Sequence, residues 1–134
     1  MQYFLLKTEP SVYSFDDLVR DKTTVWDGVT NFAALKHMRS MHRGDKAFIY
    51  HSGDEKQIVG IATIISEPRP DPKANDEKVV VVDVQAAQKL KKPVPLSVIK
   101  SKKEFKDFPL VRIPCLSVMP VPKDLWDAIL SLST

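Results

Sequence analysis

The chain has 134 residues, of which 43% are hydrophobic and 28% are charged, with 20 Lys and Arg against 17 Asp and Glu. These values are typical of one globular domain with its own core, and they exclude disorder, collagen and coiled coil as descriptions of the whole chain. The single cysteine excludes an internal disulfide framework, and no apolar stretch predicts a secretory leader or a membrane span. We therefore expect a single soluble, cytoplasmic domain over residues 1–134.

The N-terminal residues predict a strand, a short helix and a turn, in that order. Residues 3–6 are aromatic and β-prone, which favours a strand. Ser14 stands three residues before Asp17, in the spacing of a capping box. This box predicts a short helix that ends near Asp21. Residues 26–29 then form a turn-rich segment.

A second helix and a second strand are predicted before the middle of the chain. Asn31 is expected to cap a helix that presents Phe32, Leu35 and Met38 on one apolar face. A turn at Gly44 ends this region. Residues 46–50 follow as a strand.

The central part of the chain predicts two further strands, separated by a loop. Residues 58–65 form an apolar strand in which Gly60 permits a bulge or a close approach of another group. The proline-rich segment 67–78 is a loop. Residues 79–84 form a strong strand, and Pro93 and Pro95 are expected to break the chain after it.

The C-terminal part predicts helical segments around a last strand. Short helical stretches are expected over residues 96–100 and 102–107, and a strand over residues 116–119. Pro122 suits the first turn of a closing amphipathic helix. Since strands and helices do not alternate regularly, the pattern favours a compact α+β barrel and not a parallel doubly wound sheet.

The positive charge is concentrated in one segment. Residues 89–106 hold seven lysines and one glutamate, a net charge of +6. A smaller cluster comprises Lys36, Arg39, Arg43 and Lys46. Such runs can contact phosphates, but most are solvated faces, so charge alone does not identify a nucleic-acid partner.

Residue types that support catalysis or metal binding occur without matching motifs. The spacing of His37, His42 and Cys115 fits no zinc signature, and the chain has neither a Walker loop nor a dinucleotide-binding glycine motif. Cys115 and His51 could form a nucleophile and base pair, although a cysteine at this position is more typical of a small core residue. We expect no metal and no other cofactor.

Aromatic and polar side chains collect near predicted strand ends. Trp26 is the most informative of them because it lies in a turn segment and not on a periodic apolar face. It could be a core residue, or it could stack on a planar heterocycle whose edge the Asn31 amide binds. The set comprises Lys7, Ser11, Tyr13, Trp26, Asn31, Tyr50, His51 and Ser52.

Ordered motifs along the whole chain closely resemble the EVE domain family. Because several motifs recur in the same order and at matching spacings, the resemblance is far more specific than any one of them. The main motifs are Leu6-Lys7-Thr8-Glu9-Pro10-Ser11, Trp26-Asp27-Gly28-Val29, Tyr50-His51-Ser52-Gly53-Asp54-Glu55-Lys56, Val59-Gly60-Ile61-Ala62 and Leu116-Ser117-Val118-Met119-Pro120-Val121.

The resemblance implies a PUA-like fold, a small mixed β-barrel flanked by short helices. It also implies a non-enzymatic module that binds a modified base in nucleic acid, either RNA or DNA. By position it places Trp26 and Asn31 in the base pocket. Around the pocket mouth it places Lys7, Ser11, Tyr50, His51 and Ser52. The cationic side chains expected along the nucleic-acid backbone are Lys36, Arg39, Arg43 and Arg112.

The leading hypothesis is a monomeric reader, without a membrane partner, that accepts an unpaired or flipped modified base. It predicts that Trp26→Ala removes binding without unfolding the chain. One alternative is a small-molecule or nucleoside sensor that uses the same pocket. Another alternative is a hydrolase that uses His51 and Cys115. The sequence identifies neither the base modification nor the kind of nucleic acid.

Overall fold

The computed structural model describes all 134 residues, which form seven strands and five short helices around one core. The strands are β1 (Tyr3–Thr8), β2 (Thr23–Trp26), β3 (Lys46–His51), β4 (Gln57–Ile64), β5 (Arg69–Pro70), β6 (Val80–Pro95) and β7 (Val118–Pro120). The helices are α1 (Phe15–Asp21), α2 (Phe32–Arg39), α3 (Leu96–Lys100), α4 (Pro109–Arg112) and α5 (Lys123–Leu132). A 3₁₀ turn spans Lys103–Phe105.

The strands form a curled half-barrel in the order β2-β6-β4-β3-β1-β7, with β5 paired to β6. β1 and β3 are parallel, and the other pairs are antiparallel. β2 and β7 are the two ends of this order and do not pair with each other. The α+β, PUA-like fold class predicted from the sequence is confirmed.

The two predicted N-terminal helix caps are present. Ser14 accepts a hydrogen bond from the Asp17 backbone N–H, and the Asp17 side chain accepts from the Ser14 N–H, which completes the capping box. Asn31 caps α2 by accepting from the Ala34 N–H at 3.1 Å. The predicted apolar face is only partly right, because Phe32 is 74% exposed at the first position of α2.

Gly60 in β4 allows another side chain to approach the strand closely, as a glycine inside a strand predicts. The pairing of β4 with β6 shifts register between Ile58 and Gly60. A Cβ at Gly60 would lie 2.5 Å from two ring carbons of Phe15. Phe15 is fully buried, so the missing side chain of Gly60 is what allows the first residue of α1 to pack on the sheet.

Three of the predicted elements differ from the structure. The loop over residues 67–78 contains the short strand β5, and the turn-rich segment begins only after Trp26, which ends β2. β6 continues through Pro93 to Pro95, where we expected the chain to break. Beyond residues 82–85, which pair with β2, no strand lies on that side of β6, so a proline without an N–H is tolerated there.

The structure confirms the prediction for the closing helix and contradicts the prediction for the cysteine. α5 packs inward as predicted, with Leu125 and Ile129 buried and Trp126 stacked on Phe48 at 3.8 Å between ring centroids. Cys115 is exposed, so its interpretation as a core residue is wrong. It lies in the turn between α4 and β7, outside the packed strand. None of the five helices combines the length and the apolar composition that a membrane-spanning helix requires.

Candidate functional site

A cavity of about 500 Å³ opens at the unpaired margin of the sheet. Its wall runs from β2 at one end of the strand order, across the end of β1, to Ser117, which immediately precedes β7 at the other end. We call it the edge cavity. It is lined by Lys7, Thr8, Val12, Tyr13, Thr24, Val25, Trp26, Asp27, Gly28, Val29, Thr30 and Ser117. Its volume lies in the range of small-molecule binding pockets.

Trp26 is both a core residue and a wall of the edge cavity. It pairs with Val82 at the end of β2, and its side chain is 8% exposed. No hydrogen bond within the chain uses its indole Nε1, and no buried side-chain nitrogen or oxygen lacks a partner. The Nε1 donor is therefore accessible, and the small exposed part of this packed residue forms part of the cavity wall.

The floor of the edge cavity is held by internal hydrogen bonds. Thr8 donates to the Tyr13 carbonyl at 2.6 Å, and the Tyr13 hydroxyl donates to Asp21 at 2.9 Å. Burial raises the pKa of Tyr13. Both hydroxyl protons are thus used within the chain, and these two hydrogen bonds position the wall of the cavity.

Several polar side chains of the edge cavity have no hydrogen-bond partner within the chain, among them Asp27, Thr30 and Ser117. Asp27 adds a carboxylate acceptor, and the two hydroxyls can both donate and accept. Together with the Trp26 ring, they give the cavity one stacking surface and several groups for the edge of a planar ligand.

Lys7 stands between the edge cavity and a second, smaller cavity of about 260 Å³. Its Nζ donates to the Pro114 carbonyl at 2.7 Å and lies 5.6 Å from the centroid of the Tyr50 ring. Burial lowers the pKa of Lys7, and Cys115 opposes that shift. The side chain is thus fixed at the boundary of the two cavities.

The predicted pocket residues are distributed over three sites. Trp26 and Lys7 line the edge cavity, while Tyr50 and Ser52 line the smaller cavity that shares Lys7. His51 faces a separate surface pocket beside Glu55. Tyr50 and His51 are neighbours in sequence but line different cavities, because alternate residues of a strand point to opposite faces.

Asn31 and Ser11 line neither the edge cavity nor the smaller cavity. The Asn31 oxygen is occupied by its cap of α2, although Asn31 directly follows the cavity residue Thr30. Ser11 donates from its hydroxyl to Glu9 at 3.1 Å. Their assignment to a binding site stays a prediction.

The four cationic side chains predicted for the nucleic-acid backbone lie on the surface, outside both cavities. Arg39 donates to the Lys78 carbonyl at 2.9 Å, and Arg112 pairs with Asp107 at 3.2 Å. Lys36 and Arg43 are exposed, and neither forms an ion pair. Their assignment also stays a prediction.

His51 supports the fold through both ring nitrogens. Its Nε2 accepts from the buried Phe15 N–H at 3.0 Å, so the proton lies on Nδ1, which donates to Glu55 at 2.9 Å. This hydrogen bond lowers the pKa of Glu55. Neither nitrogen is free to activate Cys115.

His51→Ala is expected to lower the free energy of unfolding by about 2 kcal/mol, because it leaves a buried N–H of α1 without an acceptor. Urea denaturation followed by circular dichroism measures this change. His42→Ala is the matched control, since His42 is exposed and is expected to leave the unfolding midpoint nearly unchanged. Equal midpoints for the two variants would contradict the structural role of His51.

Asp27, Thr30 and Ser117 are the lining residues that sequence reasoning missed as ligand groups. Asp27 and Thr30 flank a turn glycine, a pattern that by itself indicates only a loop. Ser117 is distant in sequence from Trp26 and reaches the cavity through the antiparallel pairing of β7 with β1. No local signal identifies it.

Comparison with known structures first defines the class of fold. An ASCH protein from Zymomonas mobilis matches 99% of this chain and 96% of its own with a TM-score of 0.63, at 12% identity. At that identity the match shows the fold alone. The curled sheet with its short helices is thus of the PUA-like class.

The chain belongs to the EVE domain family, whose sequence model matches residues 2–132. It is 30% identical to human thymocyte nuclear protein 1 over 97% of this chain and 73% of that protein. The solved structure of Rpa0253 from Rhodopseudomonas palustris superposes with a TM-score of 0.94 at 42% identity, over 99% of this chain and 93% of that one.

A second solved relative was captured with a nucleic acid. Human thymocyte nuclear protein 1 in complex with DNA that contains 5-methylcytosine superposes with a TM-score of 0.90 at 30% identity. The match covers 99% of this chain and 98% of the human one.

Proposed function

We propose that this protein is a nucleic-acid-binding module whose edge cavity accepts a modified base that has left its stack. The observation that carries the proposal is the edge cavity itself, in which the Trp26 ring and three unpartnered polar side chains surround a ligand-sized volume. The human relative solved with methylated DNA supports the same class of ligand.

In the proposed complex, the base stacks against the Trp26 ring, and its edge bonds to the free polar groups. Asp27 suits a base with an exocyclic amino group, because its carboxylate accepts the hydrogen bonds that such an amine donates. A methyl group buried in the cavity adds about 1 kcal/mol, or about fivefold in affinity. Discrimination between bases therefore depends mainly on hydrogen bonds to the base edge.

We further propose that the protein acts by binding and not by catalysis. The one histidine considered as a general base, His51, uses both ring nitrogens to hold α1 and the Glu55 loop. The hydrolase hypothesis needs that histidine to activate Cys115, and its present contacts leave it no nitrogen to do so. The EVE relative solved in complex with methylated DNA supports the same interpretation.

The direct test is a fluorescence anisotropy titration with short labelled oligonucleotides, in DNA and RNA forms, with and without single modified bases. We expect one modified oligonucleotide to bind about fivefold more tightly than its unmodified match. We also expect affinity to fall as salt rises from about 50 to about 200 mM, because bound phosphates release counterions.

A parallel titration with the free modified nucleoside separates the reader from a nucleoside sensor. Equal affinities for nucleoside and oligonucleotide, with no dependence on salt, would favour the sensor. If no modified oligonucleotide bound more tightly than its unmodified match, recognition of a modified base would be wrong.

A further inference from the structure

Three lysines converge on the smaller cavity that adjoins the edge cavity. Lys7 reaches it from the end of β1, Lys56 from the turn after β3, and Lys100 from the last residue of α3. We call it the three-lysine cavity. Tyr50 and Ser52 also line it, and no acidic side chain does.

The polar side chains of the three-lysine cavity are all capable of donating hydrogen bonds, and most are unoccupied. Lys56 and Lys100 form neither a hydrogen bond nor an ion pair within the chain, and the hydroxyls of Tyr50 and Ser52 have no partner there either. Lys7 uses one of its three N–H donors on the Pro114 carbonyl. The cavity therefore offers several donors and three positive charges to one ligand.

None of the three lysines forms an ion pair with a carboxylate of the chain. Glu9 packs against Gly53, where its side chain occupies the space that a Cβ would take, and it accepts hydrogen bonds from the backbone and hydroxyl of Ser11. It does not line the cavity. Lysines on a convex surface are simply solvated, whereas here three lysines line one concave site. An anion that enters the site relieves their mutual repulsion.

Lys7 is the residue that connects this cavity to the proposed function. Lys7 lines both cavities, so the two cavities are neighbours that share one residue. The base and the phosphate of one nucleotide are likewise neighbours, separated by one sugar. Burial lowers the pKa of Lys7, and an anion beside it would raise that pKa again.

Building on the function proposed above, we infer that the three-lysine cavity binds a phosphate group of the nucleotide whose base occupies the edge cavity. Lysine ammonium groups bind phosphate as point charges, and a terminal phosphate carries nearly two negative charges at neutral pH. Lys100 belongs to the lysine-rich segment 89–106, so this segment contributes at least one side chain to the site.

The test uses amide NMR titrations of the whole chain with three probes: inorganic phosphate, a modified nucleoside and the 5′-monophosphate of that nucleoside. We expect inorganic phosphate to shift the amide signals of Ser52, Lys56 and Lys100. We expect the monophosphate to bind about tenfold more tightly than the nucleoside, because it adds charge-assisted hydrogen bonds.

The double variant Lys56→Gln/Lys100→Gln is expected to lose that tenfold difference and to keep the affinity for the nucleoside. Both side chains are exposed, so their replacement leaves the core intact. Lys91→Gln/Lys92→Gln is the matched control, because it makes the same change in charge at two exposed lysines outside the cavity. Lys7 is left unchanged because it also lines the edge cavity.

If the two double variants lost phosphate affinity equally, the assignment of the three-lysine cavity as a specific phosphate site would be wrong. This conclusion would hold whether or not the nucleoside binds. Phosphate-induced shifts at Ser52, Lys56 and Lys100 without any response to nucleosides would support the phosphate site with free phosphate as its ligand. That second result would contradict the edge cavity as a base pocket. The experiment can therefore contradict the phosphate site and the base pocket independently of each other.

Discussion

Trp26→Leu is expected to weaken binding of a modified oligonucleotide by roughly 5- to 150-fold, which corresponds to the about 1–3 kcal/mol that stacking on an aromatic ring contributes per base. Leucine keeps an apolar side chain at the end of β2 and removes the aromatic surface of the edge cavity. Fluorescence anisotropy with a labelled oligonucleotide measures the change, and circular dichroism establishes that the variant is folded.

Leucine is preferred to alanine at this position because the structure revises the expectation that Trp26→Ala leaves the fold intact. The Trp26 side chain is 8% exposed and belongs to the hydrophobic core. Its truncation to alanine is expected to cost about 3–5 kcal/mol of stability. Loss of binding in that variant would not distinguish a missing pocket wall from an unfolded chain.

The second tryptophan provides the matched control. Trp126 is buried against Phe48 and does not line the edge cavity, so Trp126→Phe is expected to leave affinity unchanged. In that variant Trp26 is the single tryptophan, and its fluorescence should be quenched when a base stacks on it. The base-pocket assignment would be wrong if Trp26→Leu bound the oligonucleotide with unchanged affinity and the fluorescence of Trp126→Phe did not change on binding.

Gly60→Ala is expected to lower the free energy of unfolding by about 2–3 kcal/mol. The new methyl group would meet the Phe15 ring at 2.5 Å, and overpacking of a filled core costs about 1–3 kcal/mol. Phe15 is buried, so its ring cannot move out into solvent. Chemical denaturation of the two proteins measures the difference.

Two further variants assign the cause of that loss. Phe15→Leu in the Gly60→Ala background removes ring atoms from the contact and is expected to make the double variant less destabilised than the sum of its single changes. Gly44→Ala is a contrasting variant: Gly44 has a φ of +97° and nothing within 4 Å of the added Cβ, so its effect comes from backbone strain, whereas Gly60 has no positive φ. A Gly60→Ala protein as stable as the parent would show that α1 does not pack on β4 in this way.

The local elements were predictable from the sequence because neighbouring residues determine them. The capping box of Ser14 and Asp17 and the cap by Asn31 are hydrogen bonds within one turn, so their residue types and spacing identify them. The role of Gly60 follows from a glycine inside an apolar strand. The position of Phe32 was not predictable, since its exposure depends on which part of the sheet α2 covers.

The candidate site was only partly predictable because it is assembled from distant parts of the chain. Trp26 and Lys7 were identified by residue type and by the family resemblance, and both line the edge cavity. Ser117 reaches the same cavity through strand pairing, and Lys100 reaches the adjoining one through the packing of α3. Neither contact leaves a pattern in the local sequence.

The sequence by itself determined the α+β fold class, the EVE family, the helix caps and a net charge of +3 whose positive part is concentrated in one lysine-rich segment. Only the tertiary structure decided that Tyr50 and His51 serve different sites and that Lys7, Lys56 and Lys100 meet in one cavity. The physical reason is the range of the interactions. Caps and turns form between residues close in sequence, whereas a cavity forms where a curled sheet leaves its two outer strands unpaired.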